Sequence, residues 1–191
     1  VTGAARGLGQ AICTALAGSG ANIIATDLSD LDHTAAAVKG AGRRVVAREG
    51  DVRDQGSLDA AVGDGVAELG GLDIVVANAG ISNWSRFWEM PEDQWQAMLD
   101  VNLGGVWRTF KAAAPVLIEQ SRGGSMIAIS SVAGLKALPG QAHYSAAKHG
   151  VVGLVGSAAI ELGPYGVRVN SVHPWGVNTR LAQDPEVAKI L

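Results

Sequence analysis

The chain carries one cysteine, no apolar run long enough to span a bilayer, and no block of like charge. Each shortage excludes something. A lone Cys13, set among apolar residues of a candidate helix, rules out an intrachain disulfide and reads as a buried, inert thiol. Without an apolar stretch of about 18 residues or a signal-type leader, there is no membrane span to place. The cytoplasm is the expected compartment. Lys and Arg number 15 against 18 Asp and Glu, a net charge of −3 with no basic stripe. That argues against nucleic acid and anionic membrane as partners. No group of His, Cys or carboxylates has metal-ligand spacing, and neither repeats nor low-complexity segments occur. What is present is an ordinary globular composition, 48% hydrophobic and 17% charged over 191 residues. That is room for one core, so residues 1–191 read as one domain. Glycine is abundant, 26 residues, and sits at element ends, as in a fold with many tight strand–helix turns.

The most informative stretch is 125–148. Met126 to Ile129 is short and apolar, bounded by Gly123-Gly124 and by Ser130-Ser131. It reads as a buried strand ending in hydroxyls. A loop with Gly134, Pro139 and Gly140 follows, and a helix starts near Ala142. Tyr144 and Lys148 are four apart on that helix and share a face. A free phenol has a pKa near ~10 and is a poor catalyst at neutral pH. A neighbouring ammonium favours the phenolate and is expected to lower that value. A serine hydroxyl at the strand end would hold a substrate oxygen against the phenol. Together these groups would move a proton on and off an alcohol or carbonyl.

The rest of the chain supports that reading. Gly3, Gly7 and Gly9 precede a helix with apolar Leu8, Ala11, Ile12, Ala15 and Leu16. They would let backbone N–H groups approach a pyrophosphate at the helix N-terminus. The loop needs a strand before it, so a strand cut short at Val1 is expected. Residues 21–27 read as a buried strand ending in Asp27, 18 residues after Gly9. An acid there accepts from ribose hydroxyls and repels a 2′-phosphate. Asp27 thus favours NAD over NADP, outweighing Arg6 in the glycine loop, which would suit the phosphate.

A helix over 31–42, a strand over 43–47, a helix over 54–70 and a strand over 72–77 follow. Leu58, Ala61, Val62, Val66 and Leu69 share one face of the second helix. Alternation with short turns means an α/β fold: a doubly wound, Rossmann-type parallel sheet flanked by helices. Its ligands lie at the strands' carboxyl ends, where Asp27, Asp51, Asn78 and Ser131 fall. Trp84, Phe87, Trp88 and Met90 lie in a loop and are either a lid or interface, or an apolar wall for a substrate. Pro91 opens a long helix holding Asn102, a polar residue in an apolar stretch that needs partners. Pro115 is expected to kink it near its end. The helix from Ala142 to Leu162 is apolar on more than one face, as if part of it met another subunit. A last strand, 167–172, leads to His173, read as structural, since Tyr144 already fills the acid–base role.

This ordered set resembles the short-chain dehydrogenases/reductases over essentially the whole length. It comprises Thr2-Gly3-x-x-x-Gly7-x-Gly9, Asp51-Val52, Asn78-Ala79-Gly80, Asn102, Ser131, Tyr144-x-x-x-Lys148 and Pro174 to Thr179. The resemblance implies Tyr144 as general acid/base and Ser131, 13 before it, as the group orienting the substrate oxygen. Lys148 would bind the nicotinamide ribose and Asn102 would hold a relay water. The implied cofactor set is Gly3, Arg6, Gly7, Leu8, Gly9, Asp27, Leu28, Asp51, Val52, Asn78, Ala79, Gly80, Tyr144, Lys148, Pro174, Gly176, Val177 and Thr179.

Two positions depart from the family pattern. Ala77 stands where the family usually has Asn, and Trp175 where it usually has Gly. Ser171-Val-His-Pro-Trp-Gly-Val-Asn-Thr179 and Ala142-His-Tyr-x-Ala-Ala-Lys-His-Gly150 are similar to the carveol-dehydrogenase-like, mycofactocin-associated branch. That branch implies tightly held NAD and a redox peptide partner, although its insertion after the second strand is not matched by the short stretch 27–35. The family also continues past residue 191 and assembles as dimers or tetramers.

The expected protein is therefore an NAD-dependent oxidoreductase acting on a secondary alcohol or ketone. An apolar, alicyclic substrate is suggested by Trp84, Trp88 and Trp175, with Ser131, as pocket residues. A dinucleotide-binding sensor without chemistry, and an epimerase or dehydratase on the same fold, are the rival readings.

Overall fold

The structure, a computed structural model, describes residues 1–177. Strands β1 (Ile23–Asp27) and β2 (Val45–Glu49) pair in parallel. So do β3 (Ile74–Ala77), β4 (Gly124–Ile129) and β5 (Val167–Val172), in the order β3-β4-β5. Residues 1–4 join the two groups. Thr26 N donates to Val1 O (3.0 Å), Ala4 N to Thr26 O (3.2 Å) and Thr2 N to Val76 O (3.1 Å). The short extended segment thus fills the position expected of the first strand, and the order is β2-β1-(1–4)-β3-β4-β5.

Parallel neighbours need long crossovers, and helices supply them. They are α1 (Gly7–Gly18), α2 (Asp32–Gly40), α3 (Gln55–Leu69), α4 (Glu92–Leu99) with α5 (Gly105–Gln120), and α6 (Ala142–Leu162). Both faces of the sheet are covered. Ile23 and Ala25 pack with Cys13, Ala17 and Val38 of α1 and α2. Ile24, between them, packs into the other cluster, with Val106, Phe110, Leu117, Met126 and Val151. Successive strand residues face opposite ways, so the two clusters lie on opposite faces. Burial of a side chain such as Leu117 or Met126, each fully enclosed, contributes roughly 1.5–3 kcal/mol.

Several elements differ from expectation, and β3 begins at Ile74 rather than residue 72. β1 starts at Ile23, because Ala21 N closes the end of α1 on Leu16 O instead. β2 is shifted to 45–49 by its register against β1, Ile23 opposite Val45. The helix opened by Pro91 is not uniform: α4 gives way to a π-helical turn at Asp100–Gly104 before α5 resumes. Gly104-Gly105, weak helix formers, sit where the spiral widens. Pro115 lies inside α5, which continues to Gln120.

Candidate active site

Every strand of the β3–β5 group delivers residues to one end of the sheet. At the end of β4, Ser130 Oγ donates to Lys148 O (3.0 Å), and Lys148 Nζ donates back to Ile129 O (2.8 Å). These two bonds clamp α6 onto the strand end. Gly134 completes the fit, since a Cβ there would lie 2.7 Å from Lys148 O. Ser131 is extended, and its Oγ accepts from Ala133 N (3.1 Å), starting a 3-10 turn at Val132–Gly134. Tyr144 and Lys148 are both buried on α6, with Lys148 Nζ 5.6 Å from the centre of the Tyr144 ring.

The electrostatics differ from the expectation of a lowered phenol. Burial pushes the Tyr144 pKa up, and the adjoining Ser131 hydroxyl pulls it partly back. Burial also brings Lys148 down, to about 8. Depth in the fold, which side-chain spacing does not report, outweighs the pairing of charges here.

Asn102 sits in the π-helical turn and is fully buried. Its Nδ2 donates to Ile81 O (3.0 Å) and Met98 O (3.2 Å) and approaches Met98 Sδ at 2.9 Å. Its Oδ1 is buried without a partner among the described residues. A Cβ on Gly80 would lie 2.7 Å from that Oδ1 and 3.8 Å from Lys148 Nζ. Glycine at 80 is therefore what lets the backbone pass this close to Asn102 Oδ1.

The glycine loop is built against β3. Asn78 Nδ2 donates to Thr2 O (3.0 Å) and Gly3 O (3.2 Å), and Thr2 Oγ1 accepts from Asn78 N and Ala79 N. Gly3 has φ +65°, and a Cβ on it would lie 2.8 Å from Ala79 Cα. A Cβ on the buried Gly9 would run into Gly3 O, so only glycine allows this close approach. Gly7 and Leu8 form the first turn of α1, after the extended, exposed Arg6. Asp27 accepts from Ala5 N (3.0 Å) and Ser29 N (2.9 Å), fixing its carboxylate beside the loop, with Leu28 exposed next to it. Asp51 accepts from Arg53, closest at Nη2 (2.6 Å), which lowers its pKa. Val52 is buried against Gly105.

The structure thus brings Gly3, Gly9, Asn78 and Ala79 together at one point, and Gly80, Asn102, Ser131, Tyr144 and Lys148 at another. Pro174 O accepts from Val132 N (3.1 Å), which ties the residues after β5 to the site, while Gly176 and Val177 are exposed. Thr179 lies outside the described residues. The aromatic wall is less assembled. Trp84 is half-buried, whereas Trp88 is 76% and Trp175 65% exposed, the latter under Lys136 Nζ at 4.9 Å.

Two arrangements were missed by sequence reasoning. Gln141 donates to Ser82 Oγ, His143 Nε2 meets Asn83 Oδ1 at 2.6 Å, and Ser85 N donates to Gly140 O, which sews the aromatic loop onto the start of α6. His143 is fully buried, and burial lowers its pKa. The other is His173, which reaches the carbonyl of Ser131. Only the placement of His143 and His173 beside the two motifs hinted at either.

A Gly-rich turn between a parallel strand position and a helix, followed by an acid at the next strand end, defines a dinucleotide-binding α/β protein. The absence of a Cβ at Gly3 and Gly9, and the Asp27 carboxylate fixed beside them, fit that group. Among the described residues no metal-binding cluster occurs, and no helix is long and apolar enough to cross a membrane.

Comparison with known proteins narrows the class. The short chain dehydrogenase family model matches residues 1–188. The chain is 45% identical over 205 residues to (−)-trans-carveol dehydrogenase of Rhodococcus erythropolis, covering 100% of this chain and 74% of that protein. It is 46% identical over 198 residues to an uncharacterised NAD-dependent oxidoreductase of Mycobacterium tuberculosis, covering 96% and 72%. The crystal structure of carveol dehydrogenase from Mycobacterium avium in complex with NAD matches with a TM-score of 0.95 at 43% identity, covering 97% and 73%. The chain belongs to the short-chain dehydrogenase family of oxidoreductases.

Proposed function

We propose that the protein is a cytoplasmic NAD-dependent dehydrogenase interconverting an apolar, alicyclic secondary alcohol and its ketone. The meeting of Ser131, Tyr144 and Lys148 at the end of β4, beside the unpartnered Asn102 Oδ1, carries this reading. NAD bound along the glycine loop would supply the hydride acceptor at the carbinol carbon. The protein's own groups handle the proton. Ser131 Oγ holds the substrate oxygen, and Tyr144 takes its proton in the minor phenolate form, which burial disfavours. Lys148 is still mostly protonated at neutral pH with a pKa of about 8, so its charge favours that phenolate. A water held by Asn102 Oδ1 would give that buried oxygen a partner and pass the proton from Lys148 outward. Asp27 would accept from the adenosine ribose and repel a 2′-phosphate.

The relatives support the substrate class, since a carveol is an alicyclic secondary alcohol. Trp84, and Trp88 and Trp175 once drawn over a bound substrate, would line its apolar side. We assign part of the outer face of α6, where Ile160 is 79% exposed, to a second copy in a dimer or tetramer. Light scattering checks that. A redox peptide partner would follow from tightly held NAD. Stoichiometric nucleotide surviving gel filtration, with turnover only on an artificial acceptor, would support it.

The deciding experiment oxidises (−)-trans-carveol with NAD, using the wild type and Tyr144→Phe. We expect the variant to lose roughly 10²–10⁴-fold in kcat while still binding NAD. Turnover retained in Tyr144→Phe would overturn the catalytic assignment, and best turnover with small charged hydroxy acids would overturn the substrate class.

A further inference from the structure

The proton scheme above does not use the end of β5, yet that end is bonded into the site. Ser130 N donates to Val172 O (2.8 Å) and Val132 N to Pro174 O (3.1 Å). Between these two links, His173 Nδ1 lies 3.0 Å from Ser131 O. A carbonyl oxygen only accepts, so Nδ1 carries the hydrogen. In the neutral ring Nε2 is then an acceptor, and Ser171 Oγ lies 2.9 Å from it, positioned to donate. The result is one directed chain, from the Ser171 hydroxyl through the imidazole to the Ser131 carbonyl.

The same carbonyl also accepts from Gly134 N (2.9 Å). Both lone-pair directions of Ser131 O are therefore taken, one by its own turn and one by a residue 42 positions away. The Ser131 hydroxyl hangs from a peptide that cannot rotate without breaking one of these bonds. We propose that His173, backed by Ser171, is a positioning residue that holds the Ser131 hydroxyl on the substrate oxygen. This rests on the alcohol–ketone reaction proposed above. His173 touches neither substrate nor cofactor in this role. It acts through the Ser131 backbone, so its removal lowers turnover more than it weakens binding.

The test compares His173→Leu, which removes the donor, with His173→Asn, whose amide N–H can stand where Nδ1 did. With carveol and NAD, His173→Leu should lower kcat by about 10- to 100-fold, with the NAD dissociation constant within about twofold. His173→Asn should recover most of that loss. In a Ser131→Ala background, His173→Leu should cost less than about a further twofold, because the group it positions is gone. An equal loss in both backgrounds, or no recovery by Asn, would overturn the proposal.

A second readout needs no turnover. The Ser131 hydroxyl lowers the Tyr144 pKa, so losing its placement should raise that value. The chain has two tyrosines, so 13C labelling of the phenol carbons gives two resolvable titrations. His173→Leu should raise the Tyr144 midpoint in the direction of Ser131→Ala, and His173→Asn should not. An unmoved midpoint in His173→Leu would overturn the proposal. A wild type that oxidises no alcohol but shows this pattern would refute the proposed reaction and leave the positioning intact.

Discussion

Lys148→Met should make the cofactor-free protein more stable while removing its activity. The Lys148 ammonium is buried at the end of β4, and burial brings its pKa from 10.5 to about 8. A difference of that size corresponds to about 3 kcal/mol of destabilisation while both folded and unfolded forms are protonated. Below pH 8 the full penalty applies. Between about pH 8 and 10.5 the unfolded chain binds more protons than the folded one, so stability rises with pH. Above 10.5 both forms are neutral and the penalty vanishes.

Methionine has a similar length and no charge, but it gives up the bond to Ile129 O, a loss of about 1 kcal/mol. The net gain at pH 7 is about 2 kcal/mol, or a Tm higher by roughly 4–8 °C for a chain of this size. By pH 10 the gain should have shrunk to about zero, and it should turn into a deficit approaching about 1 kcal/mol only well above pH 10.5. Tyr144, whose folded pKa is raised, weakens the fold above pH 10, because the unfolded phenol ionises first. It does so in both proteins and cancels in their difference. Urea denaturation at pH 7, 8, 9 and 10 measures that difference directly. A variant less stable than wild type at pH 7, or offset by the same amount at every pH, would refute the assignment of a buried, strained charge.

Three other substitutions test the remaining parts of the site. Gly80→Ala puts a methyl 2.7 Å from Asn102 Oδ1 and should cut kcat by about 10- to 100-fold by displacing the Asn102 side chain, measured by carveol oxidation. Gly9→Ala drives a Cβ into Gly3 O, and calorimetry should show a loss of about 1–3 kcal/mol together with loss of NAD binding. Asp27→Asn keeps an acceptor for Ala5 N or Ser29 N but removes the charge that repels a 2′-phosphate. The ratio of kcat/KM for NAD over NADP should fall about tenfold; an unchanged ratio would remove Asp27 from cofactor selection.

The parts of this site that sequence displays are those set by local periodicity. The apolar run to Ile129 ends at Ser131, and the four-residue step from Tyr144 to Lys148 fixes their common face, so both elements follow from the sequence alone. Asp27 and Asn78 were legible for the same reason: each ends a strand. What stayed hidden depends on register and depth. His173 reaches Ser131 only because Ile129 pairs with Val172 across β4 and β5, a match no spacing along the chain records. The π-helical turn under Asn102 breaks the helical period by one residue, too little to stand out in so apolar a stretch. The direction of the Tyr144 shift follows from how completely α6 is covered, and the outward turn of Trp88 from where its loop is anchored.

That anchoring governs how this enzyme can diversify. Ser82, Asn83 and Ser85 each grip a separate point on the segment that opens α6, Gln141, His143 and Gly140. Between those grips there is no slack to add or remove a residue without pulling on Tyr144. The stretch 86–90 beyond them, carrying Phe87 and Trp88, has no such ties to α6 among the described residues. Relatives with new substrates should therefore differ in length and side chains at 86–90, while the three-point seam behind it keeps its spacing and Tyr144 and Lys148 stay in place.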